Sequence, residues 1–255
     1  MAGLFDLTGQ TALVTGSSRG IGKVLAAGLA AAGARVVLHG RDQIALDAAR
    51  DELQAAGIDG VRTVAFDVRD PDAVVGAVAS LEEQTGGIDI LINNAGIQRR
   101  APFVDFRIAD WNDLVAVNLT SVFLVGQQVA ARMVTRGRGK IINIGSVQTK
   151  LGRPGIAPYA ATKGGIGMLT KGMCADLAPY GICVNALAPG YFDTELTSAL
   201  VADEDFSAWV NARTPTGRWG QVEDLIGPAI FLASAASDFV NGQIIYVDGG
   251  MTAVV

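Results

Sequence analysis

Thr11-Ala-Leu-Val-Thr-Gly16-Ser-Ser-Arg-Gly20-Ile-Gly22 is the stretch that decides the fold. Thr11 to Thr15 is a short, apolar, β-prone run. The glycine loop Gly16 to Gly22 leads into an alanine-rich helix, Lys23 to Ala32, closed by Gly33. A second β-prone run, Ala34 to Leu38, follows. Strand, glycine loop, helix and strand make the first βαβ unit of a nucleotide-binding sheet. The loop reads G-x-x-x-G-x-G rather than the commoner G-x-G-x-x-G, but its mechanics are alike. Gly16 permits the turn. Gly20 and Gly22 let the backbone come close, with Ser18 and Ile21 beside them, and the helix N-terminus attracts a pyrophosphate.

The end of the second run selects the cofactor. An NAD site carries an acid here for the ribose hydroxyl. This chain has Leu38-His39-Gly40-Arg41-Asp42, and Arg19 adds a cation from the glycine loop. Two guanidiniums suit a 2′-phosphate, so NADP(H) is expected in preference to NAD(H). The other reading of Arg41 is a side chain in solvent. Asp42 suits the N-cap of a helix starting near Gln43. His39 is the sole histidine and reads as strand-end packing, which excludes Ser-His-Asp machinery.

The alternation continues. Ile44 to Ala56 reads as helix and Val61 to Phe66 as strand, with Asp67 and Val68 at its end where an adenine would lie. Pro71 opens a helix to about Thr85. Ile88 to Ile92 is a strand running into Asn93-Asn94-Ala95-Gly96. Trp111 to Thr135 has helical spacing, with Asn118 inside it. An asparagine amide competes for backbone bonds, so Asn118 is either a tolerated polar residue or a kink or water site near Lys163. Then come strand Lys140 to Ile144, helix Pro158 to Ala178, strand Ile182 to Leu187 ending in Ala188-Pro189-Gly190, helix Gln221 to Ser234 and strand Gln243 to Val247. No linker, charge run or internal repeat interrupts the series. One domain over 1–255 is expected: an α/β, doubly wound, Rossmann-type parallel sheet with helices on both faces. Ligands of such sheets bind beyond the carboxyl ends of the strands. Gly16, Gly40, Asp67, Asn93, Ser146 and Pro189 all fall there.

Tyr159 and Lys163 are four residues apart, on one face of their helix. An ammonium beside a phenol favours the phenolate, so the Tyr159 pKa is expected below its usual value of about 10. Such a tyrosine exchanges protons with a substrate oxygen. Ser146, at a strand end, would share that oxygen.

The totals exclude several classes. A net charge of −5 argues against a nucleic-acid surface. No uninterrupted apolar run reaches the roughly 18 residues that span a bilayer, and the N-terminus lacks a signal-peptide pattern. No membrane partner is therefore expected, and the cytoplasm is the expected location. Cys174 and Cys183 are not in a C-x-x-C pair and read as ordinary buried thiols, with no metal site.

Taken together, these residues resemble the short-chain dehydrogenase/reductase family. The resemblance rests on Thr15-Gly16-x-x-x-Gly20-x-Gly22, Asn93-Asn94-Ala95-Gly96, Asn118, Ser146, Tyr159-x-x-x-Lys163 and Pro189-Gly190. It implies a seven-stranded sheet and a homotetramer. It implies Tyr159 as acid/base, and Lys163 as the group that lowers its pKa and binds the nicotinamide ribose. Ser146 would hold the substrate oxygen and Asn118 a relay water. Asn94, Ala95, Gly96, Pro189 and Gly190 would add cofactor contacts.

Within the family the chain is most similar to the subgroup that interconverts D-gluconate and 5-keto-D-gluconate. The similar stretches are Asn93 to Arg100, Ser146-Val147-Gln148, Ala188 to Phe192, Arg213-Thr214-Pro215 and Arg218-Trp219-Gly220. Gly145, Thr149 and Lys150 depart from the cysteine, serine and acid expected there. The subgroup implies hydride transfer at C5 of a sugar acid. Arg99 and Arg100 would clamp its carboxylate, and Gln98 and Gln148 would offer amides to its hydroxyls. Tyr191, Phe192 and the segment from Thr194 to Arg218 would form a lid at about 190–220. The same residues also admit a plainer reading. The arginines would then face solvent or pair with Asp105, and Leu196, Leu200, Phe206 and Trp209 would pack as a helical hairpin. Three rivals share this frame: a 3-oxoacyl carrier-protein reductase, another sugar or polyol dehydrogenase, and a non-catalytic NADP(H) sensor. Four filled catalytic positions argue against the sensor.

Overall fold

A computed structural model describes residues 3–195 and 197–254. Leu196, placed by its sequence in the lid, lies outside the described residues. Seven strands form one sheet: β1 (Thr11–Val14), β2 (Arg35–Gly40), β3 (Arg62–Ala65), β4 (Ile90–Asn93), β5 (Gly139–Ile144), β6 (Ile182–Pro189) and β7 (Ile244–Val247). Their order is β3-β2-β1-β4-β5-β6-β7, and every neighbouring pair is parallel. The chain winds outward from β1 to β3, then returns to place β4 on the other side of β1. That reversal opens a crevice at the carboxyl ends of β1 and β4.

Successive strand residues alternate between two cores, as the pleat requires. Val14, Ile90, Ile92 and Ile142 face α1 (Gly20–Ala31), α2 (Gln43–Ala55) and α9 (Ile226–Ala233), meeting Leu25, Leu29, Leu46 and Leu232. Leu13, Leu91 and Ile141 face the other way. There they meet Val74 and Val78 of α3 (Pro71–Thr85), and Val125, Val129 and Met133 of α5 (Ser121–Arg136). Burial on both faces explains why the strands read as nearly continuous apolar runs.

The expected helix from Trp111 to Thr135 is longer and is broken. α4 (Ile108–Val115) passes through a π turn, Ala116–Thr120, into α5. Asn118 lies in that turn, so the kink reading describes the backbone. Among the described residues this rod, Ile108–Arg136, is the one helix long and apolar enough to cross a membrane, at mean hydropathy 1.6. Half of that apolar window is buried inside the protein. The expected helix from Gln221 also differs. It opens as a 3₁₀ turn, Val222–Leu225, before α9. Pro228 has no N–H to give Asp224, so an α-helical bond there cannot form.

α6 (Ala157–Leu177) carries Tyr159 and Lys163 and is pinned to the sheet by buried polar bonds. Asn93 donates to Asn143 at 2.9 Å, and Asn143 donates to Thr170 at 3.0 Å. β4, β5 and α6 are thereby fixed to one another. Two short helices, α7 (Ser198–Val201) and α8 (Glu204–Arg213), lie between β6 and α9.

Candidate functional site

The crevice is braced from both sides. The Thr15 hydroxyl accepts the N–H groups of Asn94 at 2.9 Å and Ala95 at 3.0 Å. The Asn94 amide donates at 2.9 Å to the carbonyls of both Thr15 and Gly16. Gly22 packs against this junction. A β-carbon on it would collide with the Gly16 carbonyl oxygen and with Asn94 Nδ2. Because the Gly16 oxygen is backbone, it has no side-chain freedom to yield. Gly22→Ala should therefore cost about 1–3 kcal/mol and weaken NADPH binding. Urea melts and a fluorescence titration check this; an unmoved midpoint would show that the junction is looser than drawn.

His39 does more than pack. It is buried at 2% exposure, and its Nδ1 accepts the Gly16 N–H at 3.1 Å. Its Nε2 lies 3.1 Å from the Phe66 carbonyl and so carries the proton. Burial holds its pKa down to about 4, keeping the ring neutral as this pair of bonds requires. Ser17 completes the brace, donating to the Val14 carbonyl and accepting the His39 N–H. No local pattern points to this role, because Phe66 and Gly16 meet His39 only across the sheet.

The glycine loop is open where an anion would sit. Gly20 has φ +57°, and nothing lies within 4 Å of where its β-carbon would be. α1 has no side-chain cap, whereas α2 and α3 are capped by Asp42 and Asp70. The first N–H groups of α1 are thus without the side-chain acceptor its neighbours have. Gly40 ends β2, and Arg41 beyond it is exposed. Arg19 lies 3.8 Å from Glu195, both exposed. Asp67 accepts from the Arg69 backbone and guanidinium, which holds its pKa down to about 2. The Val68 side chain is in the core, so only its backbone can face the crevice.

Ser146, just past β5, caps a 3₁₀ turn, accepting the Gln148 N–H at 3.2 Å. Tyr159 rises from the first turn of α6 toward the same place. Lys163 is 6% exposed, and its ammonium donates to the Ile144 carbonyl at 2.7 Å. It lies 5.8 Å from the Tyr159 ring centroid. This overturns the expected pKa direction. Burial raises the Tyr159 phenol above its usual value, Ser146 is the first influence pulling it down, and Arg100 also pulls it down. The helical spacing puts Tyr159 and Lys163 on one face, but the ammonium turns to the strand carbonyl. Burial also brings Lys163 down to about 8.

Asn118 is 1% exposed and fully engaged. It accepts the Ile97 N–H at 2.8 Å and donates to the Ile97 carbonyl at 2.9 Å. The π turn thus clips the chain beyond Gly96 to the crevice wall. Arg99 and Arg100 part company. Arg99 is held by Asp113 at 3.0 Å and Asp110 at 3.7 Å, on α4, so the structure does not bring it to the Tyr159 cluster. Its ion-pair partners are Asp110 and Asp113, not Asp105. Arg100 stays with the cluster, its pKa lowered by partial withdrawal from water and by Arg153. Gln148 is buried, and its Oε1 has no partner.

Tyr191 follows Pro189 and Gly190. Its ring meets Phe206, Trp209 and Trp219 edge-on, at centroid distances of 5.7, 5.8 and 5.8 Å. The segment beyond Thr194 is therefore a helical hairpin packed over one side of the crevice. Arg153, which the sequence reading passed over, enters this cluster. The available signal was its position, a cation in the loop between Ser146 and Tyr159.

Comparison with known proteins agrees with this arrangement. The family described as enoyl-(acyl carrier protein) reductase matches residues 16–252. Gluconate 5-dehydrogenase of Gluconobacter oxydans (strain 621H) is 59% identical over 249 residues, 98% of this chain and 97% of that one. The 5-keto-D-gluconate 5-reductase of Escherichia coli (strain K12) is 51% identical over the whole of both. The crystal structure of a gluconate 5-dehydrogenase from Burkholderia cenocepacia J2315, in complex with NADP and tartrate, is 56% identical. It superposes with a TM-score of 0.96 over 100% of this chain and 99% of that one. A parallel sheet with its crevice at the β1–β4 reversal, Ser146, Tyr159 and Lys163 gathered beside it, and matches of this extent place the chain in the short-chain dehydrogenase/reductase family.

Proposed function

We propose that this protein is an NADP(H)-dependent oxidoreductase that interconverts D-gluconate and 5-keto-D-gluconate by hydride transfer at C5. The observation that carries this reading is Arg100. It is a guanidinium without a carboxylate partner among the described residues, and its charge reaches both Tyr159 and Tyr191. A cation beside the proton donor suits an acid substrate, and the named relatives act on such acids.

The cofactor fits this chain. The uncapped start of α1 suits a pyrophosphate, held by Gly16, Ser18, Arg19, Gly20, Ile21 and Gly22. An exposed Arg41 in place of an acid suits a 2′-phosphate. Asp67 and the Val68 backbone would face adenine, and Asn94, Ala95, Gly96, Pro189 and Gly190 would line the remainder. When bound, NADP(H) supplies or accepts the hydride. Tyr159 gives its proton to the developing alkoxide during reduction and takes it back during oxidation. Ser146 donates a second hydrogen bond to the same oxygen. Lys163 would hold the nicotinamide ribose, and Asn118, its amide engaged by Ile97, would offer its backbone to the relay water. Gln148 and Tyr191 would receive the hydroxyls. The protein is read as one domain with a lid at about 190–220, working as a homotetramer in the cytoplasm.

NADPH oxidation with 5-keto-D-gluconate and with an acetoacetyl thioester, run side by side, tests the reading. The keto-acid should turn over and the thioester should not. The reverse ranking would make this a carrier-protein reductase. Cofactor binding with no turnover of either would revive the sensor.

A further inference from the structure

Arg153 sits among polar groups with unused donors that an anion would satisfy. Its Nε is shielded from water and meets no acceptor, and the same holds for Trp219 Nε1 and the Tyr191 hydroxyl. Its guanidinium carbon lies 5.3 Å from the Phe206 ring centroid, so one face is stacked on α8. Arg100 is its like-charged neighbour, and both arginines act on Tyr191. Neither takes part in any ion pair among the described residues. Guanidinium and indole nitrogens only donate. Two neighbouring cations with an indole N–H and a phenol beside them form a wall that asks for an acceptor-only, negatively charged partner. A carboxylate is that partner, and guanidinium forks match it bidentately.

We infer that Arg153 is a specificity-determining residue, which with Arg100 grips the substrate carboxylate while Trp219 and Tyr191 complete the donor wall. This rests on the sugar-acid reading above. A bound carboxylate would relieve the repulsion between the two arginines. Because Arg153 is stacked on Phe206, the grip is complete only with α8 seated over the crevice, so recognition of the acid and closure of the hairpin are one event.

The test uses the full chain with NADPH, comparing wild type, Arg153→Gln and Arg153→Lys. Three quantities are read: KM and kcat for 5-keto-D-gluconate, Ki for tartrate as a simple carboxylate probe, and Kd for NADPH. In Arg153→Gln, KM and Ki should rise together by about 10- to 100-fold, the loss of a charged hydrogen bond, while kcat changes little and NADPH Kd stays fixed. Arg153→Lys should recover only part, since an ammonium has no fork. Unchanged KM and Ki would overturn the inference. So would a fall in kcat with weakened NADPH binding and unmoved Ki, which would mean that Arg153 merely holds the hairpin. Should Arg153→Gln not fold, Arg153→Lys alone carries the same comparison of KM, Ki and Kd. A wild type that turns over no sugar acid removes the functional reading and this inference together. A wild type that does so, with Arg153→Gln unaffected, removes the inference alone.

Discussion

Tyr159→Phe should remain folded and bind NADPH, yet lose turnover by about 10²- to 10⁴-fold, the usual worth of a positioned general acid. The argument is steric before it is chemical. The substitution removes one oxygen from a half-buried ring and leaves the ring in place. Ser146 keeps its bond from the Gln148 N–H, so the turn after β5 does not collapse. Lys163 keeps its bond to the Ile144 carbonyl, so the base of the site is also unmoved. What disappears is the proton that a reduced carbonyl must take up. The raised phenol pKa adds a directional signature. A phenol held above its usual value is protonated at neutral pH, the form that ketone reduction needs. Oxidation needs the phenolate, so its rate should climb with pH through the alkaline range while reduction stays level until the phenol titrates. Stopped-flow hydride transfer and a cofactor titration read both parts. Near-normal turnover in the variant would take Tyr159 out of the chemistry.

The parts of this site that were legible beforehand are those set by local spacing. The βαβ unit reads from Thr11 to Leu38 because strand, glycine loop and helix each carry their own period and punctuation. Tyr159 and Lys163 share a face because four residues nearly complete a helical turn. What spacing cannot carry is which neighbour each side chain finds. The direction of the Tyr159 pKa shift turns on burial and on an ammonium that prefers a strand carbonyl to the phenol. Arg99 and Arg100 are adjacent and alike, and Asp113, on a helix further along the chain, pairs with one of them. Asn118 looks like a helix defect until Ile97 and Thr162 are seen to share its amide. His39 reads as filler because its partners, Gly16 and Phe66, lie on other strands' ends. In each case the missing information is a contact between separate elements of the fold, which the local pattern of either element does not contain.

Lys163→Met should cost turnover about 100-fold or more, the loss expected when a group that positions the cofactor is removed, and it should also flatten the alkaline limb of the stability curve. Lys163 is an ammonium removed from water with a single hydrogen bond, to Ile144, and no carboxylate partner among the described residues. Burial brings its pKa down to about 8 in the folded protein, against about 10.4 in an unfolded chain. Between those values the unfolded state binds more protons, so folding stability rises with pH across that window. At about 1.4 kcal/mol per unit, the rise is at most about 3 kcal/mol. Tyr159 acts in the opposite sense. Its folded pKa lies above the unfolded value near 10, so the folded state holds that proton longer and stability falls only above about pH 10. The interval from about 8 to 10 therefore belongs to Lys163. Methionine fills similar volume with no charge, so its urea midpoint should lose this rise, while the forfeited bond to Ile144 costs about 1 kcal/mol. Urea melts at pH 7.5 and 9.5 on both proteins decide it. An undiminished pH slope in the variant would mean that the amine reaches water in the folded state, and a catalytic centre that depends on a buried cation would then have to be redrawn.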